Sequence, residues 1–362
     1  MIEVTFLIGN GFDILHGMKT TYSNFYDYAE KTFNEDKIKS NFFYNQIKED
    51  VSKWSDFELA MGLSTFDGVS FKDKLNLAND TKTNLNKKEF NSEEFMNSLQ
   101  EFRMDFQSYL SAEQKRIQIP NIEDSLVTFF KDLKPGALKD VNNLFNQQGG
   151  DIKFNFITFN YTSLLELTLN KVNWINVSNR AREIFPSFKF QIILGEIEYV
   201  HERIGSGTFL GVNDASQINV ERFKEEDAQI IIKPYLIREN DRYKIDQLTT
   251  MIKRSGLLII FGMSLGETDK LWWEEILGSM KSLDSSQLLL IHYYDSNKKS
   301  LTRNNPRQYF EMQKNIRNLI LRYDKSENLK EVERIMTLCN NDKIFKHIDR
   351  KEYRGHTVDT RF

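Results

Sequence analysis

The sequence predicts an α/β fold: a mostly parallel sheet with helices on both faces and a large helical insertion after the first strand. Three features carry that expectation. Short β-branched, apolar runs recur and stop at glycine or polar residues, as buried strands do. Segments with apolar residues at helical spacing alternate with them through the C-terminal half, the pattern of parallel strands joined by crossover helices. From about residue 21 to about residue 150 only helical spacing is present, so the first strand is cut off from the others.

Residues 2–8 (IEVTFLI) form the first predicted strand, ending at the glycine turn GNGFD. A helix follows from Thr21, because Tyr22, Phe25, Tyr26, Ala29 and Phe33 share one face. In KWSDFELAMG, Ser55 and Glu58 have capping-box spacing; the alternative is that Asp56 or Glu58 closes over a pocket and binds a ribose hydroxyl. Residues 72–91, rich in Lys and Asn, read as an exposed loop. Phe95, Leu99, Phe102, Phe106, Tyr109 and Leu110 make the clearest helical stripe, and Leu126, Phe129, Phe130 and Leu133 another. After Gly149 and Gly150 the character changes. FNFITFN (154–160) is a strand, and Ser163 with Glu166 fits a capping box opening the next helix. Further strands are expected near 190–200, 207–212, 257–262 and 287–294, with helices near 244–254, 268–281 and 306–317. Residues 1–20 and 151–322 would form the α/β core, 21–150 the insertion, and 323–362 a basic C-terminal extension.

Composition narrows the function classes. With 40% hydrophobic residues, 28 Phe and 14 Tyr among 362, the chain can bury a large core and support an enzyme. The lone Cys339 excludes an intrachain disulfide and any multi-thiolate zinc site, and fits a reducing cytoplasm. No apolar run approaches the roughly 18 residues of a spanning helix, and the N-terminus lacks a signal-peptide pattern, so neither membrane insertion nor secretion is expected. A formal charge of -3 gives no general attraction to nucleic acid. Residues 297–362 nevertheless hold 16 Lys+Arg against 9 Asp+Glu, either a solvated face or a phosphate-binding surface.

Four strand ends gather small or polar residues where open α/β sheets bind ligands. The first is the loop Gly9, Asn10, Gly11, Phe12, Asp13, with His16 beside it. Glycines there would let backbone N–H groups approach a phosphate, although Ile14 stands where the dinucleotide fingerprint needs a third glycine, and the motif fits a structural turn equally well. The second is Thr158 and Asn160 in ITFNYTS, the third His201 in EYVHERIGSG, and the fourth Gly262, Ser264 and Gly266 in IIFGMSLGETDK, followed by Asp269 at a helix start. Each has a structural alternative: Asn160 a turn, His201 a buried hydrogen bonder, Asp269 a partner of the helix dipole. No histidine pair has metal-ligand spacing, so no metal is expected.

On FLIGNGFDILHGMKTTYSNF, WSDFELAMG, ITFNYTSLLE, YVH with FLGVND, and IIFGMSLGETDKLWWEEI, the sequence resembles the AbiH family of phage abortive-infection proteins. That family in turn resembles the sirtuin-like superfamily, with a Rossmann-like core that binds NAD. The resemblance implies catalytic roles for Asn160 and His201, nucleotide contacts from Gly9, Asn10 and Gly11, and adenosine-side contacts from Ser264 and Asp269. Two positions depart from it: Thr162 stands where Asp is usual, and Glu202 where Gly is usual. The implied function is a cytoplasmic NAD glycohydrolase, gated by oligomerisation or a phage-derived trigger. The alternatives are a nucleotide-binding sensor without turnover and, ranked last, a nucleic-acid effector using the basic C-terminal region.

Overall fold

The computed structural model describes residues 1–66, 90–147, 150–187, 189, 191–206, 210–264, 266–281, 286–294, 306–323 and 334–347. Six strands form one sheet: β1 (Ile2–Ile8), β2 (Ile152–Thr158), β3 (Ile192–Tyr199), β4 (Leu257–Phe261), β5 (Leu288–Tyr293) and β6 (Ile335–Cys339). Every pairing is parallel, and the order is β3-β2-β1-β4-β5-β6. This is the strand order of doubly wound dinucleotide-binding sheets; it reverses between β1 and β4, where a crevice opens outside the carboxyl ends of the strands. Central strands of such a sheet are covered on both faces, which is why β4 reads as a continuous apolar run and β1 is apolar at five of its seven positions.

The helices in chain order are α1 (Gly11–Leu15), α2 (Tyr22–Thr32), α3 (Glu35–Ser40), α4 (Phe42–Glu49), α5 (Phe57–Leu63), α6 (Ser92–Arg116), α7 (Ser125–Thr128), α8 (Pro135–Gln147), α9 (Leu164–Leu169), α10 (Trp174–Ile184), α11 (Glu225–Ile231), α12 (Lys233–Asn240), α13 (Lys244–Arg254), α14 (Lys270–Met280) and α15 (Pro306–Leu321). One sheet face, with Val4, Phe6, Phe154 and Ile259, packs against α7 to α10. The other, with Leu7, Ile157, Leu258 and Ile260, packs against α13, α14 and α15. A third core is aromatic: Phe25, Phe43, Phe57, Phe102 and Phe106 from α2, α4, α5 and α6, with Phe57 and Phe102 stacked at 3.9 Å. Among the described residues no helix is long and apolar enough to cross a membrane.

The α/β architecture and the insertion after β1 are as expected, and several details differ. The third core recruits Leu210, Val212, Ile231 and Ile232 from beyond β3. Buried Arg103 of α6 holds that segment, its Nη2 donating to the carbonyls of Leu210 (2.6 Å) and Ile230 (3.0 Å). The insertion and this segment therefore make one helical cap. Residues 122–147, expected within the insertion, instead cover the sheet, because Ile122, Leu126, Phe129, Phe130, Val141 and Phe145 face its core. Of the strand expected at 207–212, residues 207–209 lie outside the described residues. Val212 makes only an isolated bridge to Ile232, and a Cβ on Gly211 would sit 2.2 Å from the Ile231 carbonyl oxygen. The stretch expected as a basic extension contributes β6, while residues 348–362, with His356, lie outside the described residues, as do 72–89 of the expected loop.

Neither capping box forms. Ser163 precedes α9 without a side-chain cap bond, and Glu166 instead accepts from Tyr199 Oη and Arg203 Nη1, both at 3.0 Å. At α5 the cap is Asp56, whose carboxylate accepts from Leu59 N at 3.1 Å. Moving the cap by one residue leaves Glu58 available for another contact.

Candidate active site

The glycine turn after β1 is shaped by another loop. Gly9 N–H donates to Phe261 O and Gly11 N–H to Gly262 O, both at 2.9 Å, so these amides are committed within the protein. A Cβ on Gly9 would lie 2.5 Å from Gly262 O, and one on Gly11 2.5 Å from Gly262 Cα. Gly262 itself has φ +67, in the region that favours glycine. Close backbone packing of the β1 and β4 turns thus explains all three glycines. Asn10 is also engaged: its Nδ2 donates to Thr20 O (3.1 Å), and its Oδ1 accepts from Thr20 Oγ1 (2.5 Å).

The sequence-selected residues then divide. Phe12 is a core residue, fully buried with its ring against Phe345, because α1 turns it away from the crevice. His16 packs edge-on to Phe12; burial, with His347 adding repulsion, lowers its pKa to about 4. Thr158 is buried and accepts from Asn160 N at 3.2 Å, which shapes the end of β2. Ser264 is exposed.

Asp13, Asn160 and His201 are buried at the sheet edge and Asp269 is half-buried there, each on the segment that follows a strand. Asp13 is 1% exposed, and its Oδ2 accepts from Thr162 Oγ1 at 2.6 Å. The hydroxyl of Thr162, at the position where the resemblance expects Asp, thus serves the carboxyl of Asp13. The Asn160 amide lies beside that carboxyl but outside hydrogen-bonding geometry. Four buried atoms here, Asp13 Oδ1, Asn160 Oδ1, Asn160 Nδ2 and His201 Nδ1, have no hydrogen-bond partner among the described residues. Buried polar atoms are nearly always paired, so such a group marks a place built for a polar ligand or for water.

His201 and Asp269 extend the site toward the cap. His201 Nε2 stands 3.7 Å from Asp269 Oδ1, close enough for charge attraction though long for a hydrogen bond. Next to it, Glu202 has φ +61, so the backbone adopts a glycine-favouring conformation where the resemblance expects Gly. The residue that sequence reasoning missed is Lys233. Its Nζ lies 3.3 Å from Asp269 Oδ1 and 2.9 Å from Glu58 Oε2, and it is only 3% exposed. The other Glu58 oxygen accepts from Gly211 N at 3.1 Å, so both oxygens are engaged within the protein. A signal for Lys233 existed: a lysine inside the apolar run QIIIKPYL, opening a helix where the dipole disfavours positive charge.

Electrostatics follow from burial. Asp13 is raised to about 7 by burial, with Thr162 and Asn160 pulling the other way. Burial and the Lys233 ammonium lower His201 and keep the ring neutral, against the pull of Asp269. Burial opposes ionisation of Asp269 as well, yet Lys233 and His201 outweigh it and hold the carboxyl near 2. Lys233 is raised despite its burial, by Glu58 and Asp269. Burial raises Asp56 and Glu58 too, Glu58 to about 7 despite the neighbouring Lys233, so Asp269 is the carboxyl of this group held firmly ionised. Among the described residues no group of three or more His, Cys, Asp or Glu side chains is placed to hold a metal ion.

Asp13 makes stability depend on pH. Its carboxyl ionises near 4 in an unfolded chain and near 7 in the fold, so the fold binds the proton more tightly. The resulting stabilisation is complete below about pH 4 and is lost as pH rises through 7. Asp13→Asn keeps the shape and an acceptor for Thr162 but cannot ionise. It should melt above wild type at pH 8, by an equivalent of about 2 to 4 kcal/mol, and converge with it near pH 4. Parallel melting curves across that range would contradict the burial argument.

The site residues lie within the span of a known family. A family model described as bacteriophage abortive infection AbiH matches residues 5–292, which include Asp13, Glu58, Asn160, His201, Lys233 and Asp269. No curated protein and no solved structure matches the chain. With four fifths of its length matched, the chain belongs to the AbiH family of bacteriophage abortive infection proteins.

Proposed function

We propose that this protein hydrolyses NAD to nicotinamide and ADP-ribose, depleting the cofactor of an infected cell. The observation that carries the reading is the set of partnerless buried atoms on Asp13, Asn160 and His201, beyond the carboxyl ends of the neighbouring parallel strands β1, β2 and β3. Water adds to the anomeric carbon as the bond to the pyridinium nitrogen breaks. The bonding pair neutralises the ring, so nicotinamide leaves uncharged and needs no acid. The proton lost by the water goes to His201 Nδ1, which a neutral imidazole can accept. Asn160 can donate and accept at once, holding a ribose hydroxyl and the water. The transition state is oxocarbenium-like, and the Asp269 carboxylate, held ionised beside His201, favours the imidazolium that forms as the water loses its proton.

In this reading Asp269 orients His201 and is not an adenosine contact. The Gly9 and Gly11 amides, already committed, do not cradle the diphosphate, and exposed Ser264 is left for the adenosine side. A cell tolerates such an activity only when it is gated, through a phage-derived trigger or assembly of several copies. The test is incubation of purified protein with NAD, nicotinamide measured by chromatography, and NAD binding measured by calorimetry. Nicotinamide release that depends on Asn160 supports hydrolysis. Calorimetric binding without release would replace it with a sensor.

A further inference from the structure

We infer that Lys233 is a positioning residue: it fixes the Asp269 carboxylate against the His201 ring and makes that arrangement depend on Glu58 of the helical cap. Its kinetic consequence rests on the hydrolytic reading above, in which His201 takes the proton.

One Asp269 oxygen, Oδ1, meets both Lys233 Nζ and His201 Nε2, so the ammonium decides where that carboxylate sits. Lys233 is itself held at both ends. Its backbone N–H donates to Val212 O (2.9 Å), Val212 N–H donates to Ile231 O (2.9 Å), and Gly211 N–H donates to the same Glu58 that binds its ammonium. Asn213 of that strip also receives Leu271 N–H on its side chain at 3.0 Å, joining the cap to the start of α14 beside Asp269. The cap and the sheet edge thus share one closed set of contacts, with Lys233 at its centre. The groups facing His201 are Asp269 from the β4 loop, Lys233 from α12, and the Tyr161 and Phe159 rings from the β2 end, with Asp56, Glu58 and Tyr22 beyond them. Of these only Lys233 opposes a proton on His201 by its charge.

The test is an NMR titration of the histidine rings, five in the chain, with His201 assigned by substitution. Wild type, Lys233→Met, Lys233→Arg and Glu58→Gln are compared. In Lys233→Met the ring of His201 should take its proton at higher pH than in wild type, because Asp269 remains and the ammonium is gone; Lys233→Arg should restore wild-type behaviour. The acid limb of nicotinamide release should move the same way, with kcat affected more than KM. If Lys233→Met does not fold, Lys233→Met with Glu58→Gln removes one stranded carboxylate and is titrated instead. A folded variant without the ammonium whose His201 titrates as in wild type overturns the inference. Absence of nicotinamide release from every protein, with and without added lysate of phage-infected cells, would instead overturn the hydrolytic reading, and the titration still decides the role of Lys233.

Discussion

Gly11→Ala should cost about 3 to 5 kcal/mol of folding stability, before any ligand is involved. The added methyl would lie 2.5 Å from Gly262 Cα and 3.2 Å from Gly262 O, and what it meets is backbone, not the end of a flexible side chain. Gly262 cannot retreat cheaply. Its carbonyl accepts the Gly11 amide, its φ is +67, and a methyl there would in turn lie 2.7 Å from Gly11 Cα. Each glycine occupies the space the other's side chain would need. Against a total stability of about 5 to 15 kcal/mol typical of proteins, such a loss is a large share. Gly278→Ala in α14, where an added Cβ meets nothing within 4 Å, is the control and should be neutral or gain up to about 1 kcal/mol. Urea unfolding of the two variants checks the contrast. A Gly11→Ala protein as stable as wild type yet unable to bind NAD would show that these glycines serve a ligand after all.

That result bears on what a sequence can disclose. Gly9 and Gly11 were visible as a tight turn after a strand, but whether their missing side chains make room for phosphate or for Gly262 depends on a loop some 250 residues away. The strands β4 and β5 were legible as apolar runs, and β1 and β2 as short stretches in which apolar residues outnumber polar ones, because central strands are buried on both faces. β6 was not: Ile335–Cys339 is short, lies at the sheet edge, and sits within a basic stretch. Asn160, His201 and Asp269 stood out because they follow strand ends, where open α/β sheets bind ligands. Glu58 was obscured by a local rule that fitted, since Ser55 and Glu58 have capping spacing, and only the choice of Asp56 as the cap releases Glu58 for Lys233. Lys233 pairs with residues 175 and 36 positions away, so nothing local states its role.

Under the proposed hydrolysis of NAD, Asn160→Ala should reduce nicotinamide release by about 10² to 10³ while leaving the melting temperature within a few degrees of wild type. The separation of the two effects follows from the bonding. The side-chain amide completes no hydrogen bond in the fold and only eases ionisation of the neighbouring Asp13, so its removal strands no donor, and the backbone N–H to Thr158 Oγ1 is retained by alanine. A buried amide without partners is a cost to folding, and deleting it offsets the small cavity left behind. Catalysis loses more, because one group that both donates and accepts would no longer hold the ribose and the water in register. Asn160→Asp sharpens the distinction. It keeps the shape but places a second carboxyl beside Asp13, so one of the two must hold a proton, and the donor needed by the ribose or water then depends on pH. If Asn160→Ala loses stability and turnover together, the amide is a structural element whose partner is an unseen water. If it loses only turnover, the partnerless atoms of Asn160 are the part of the fold reserved for the substrate.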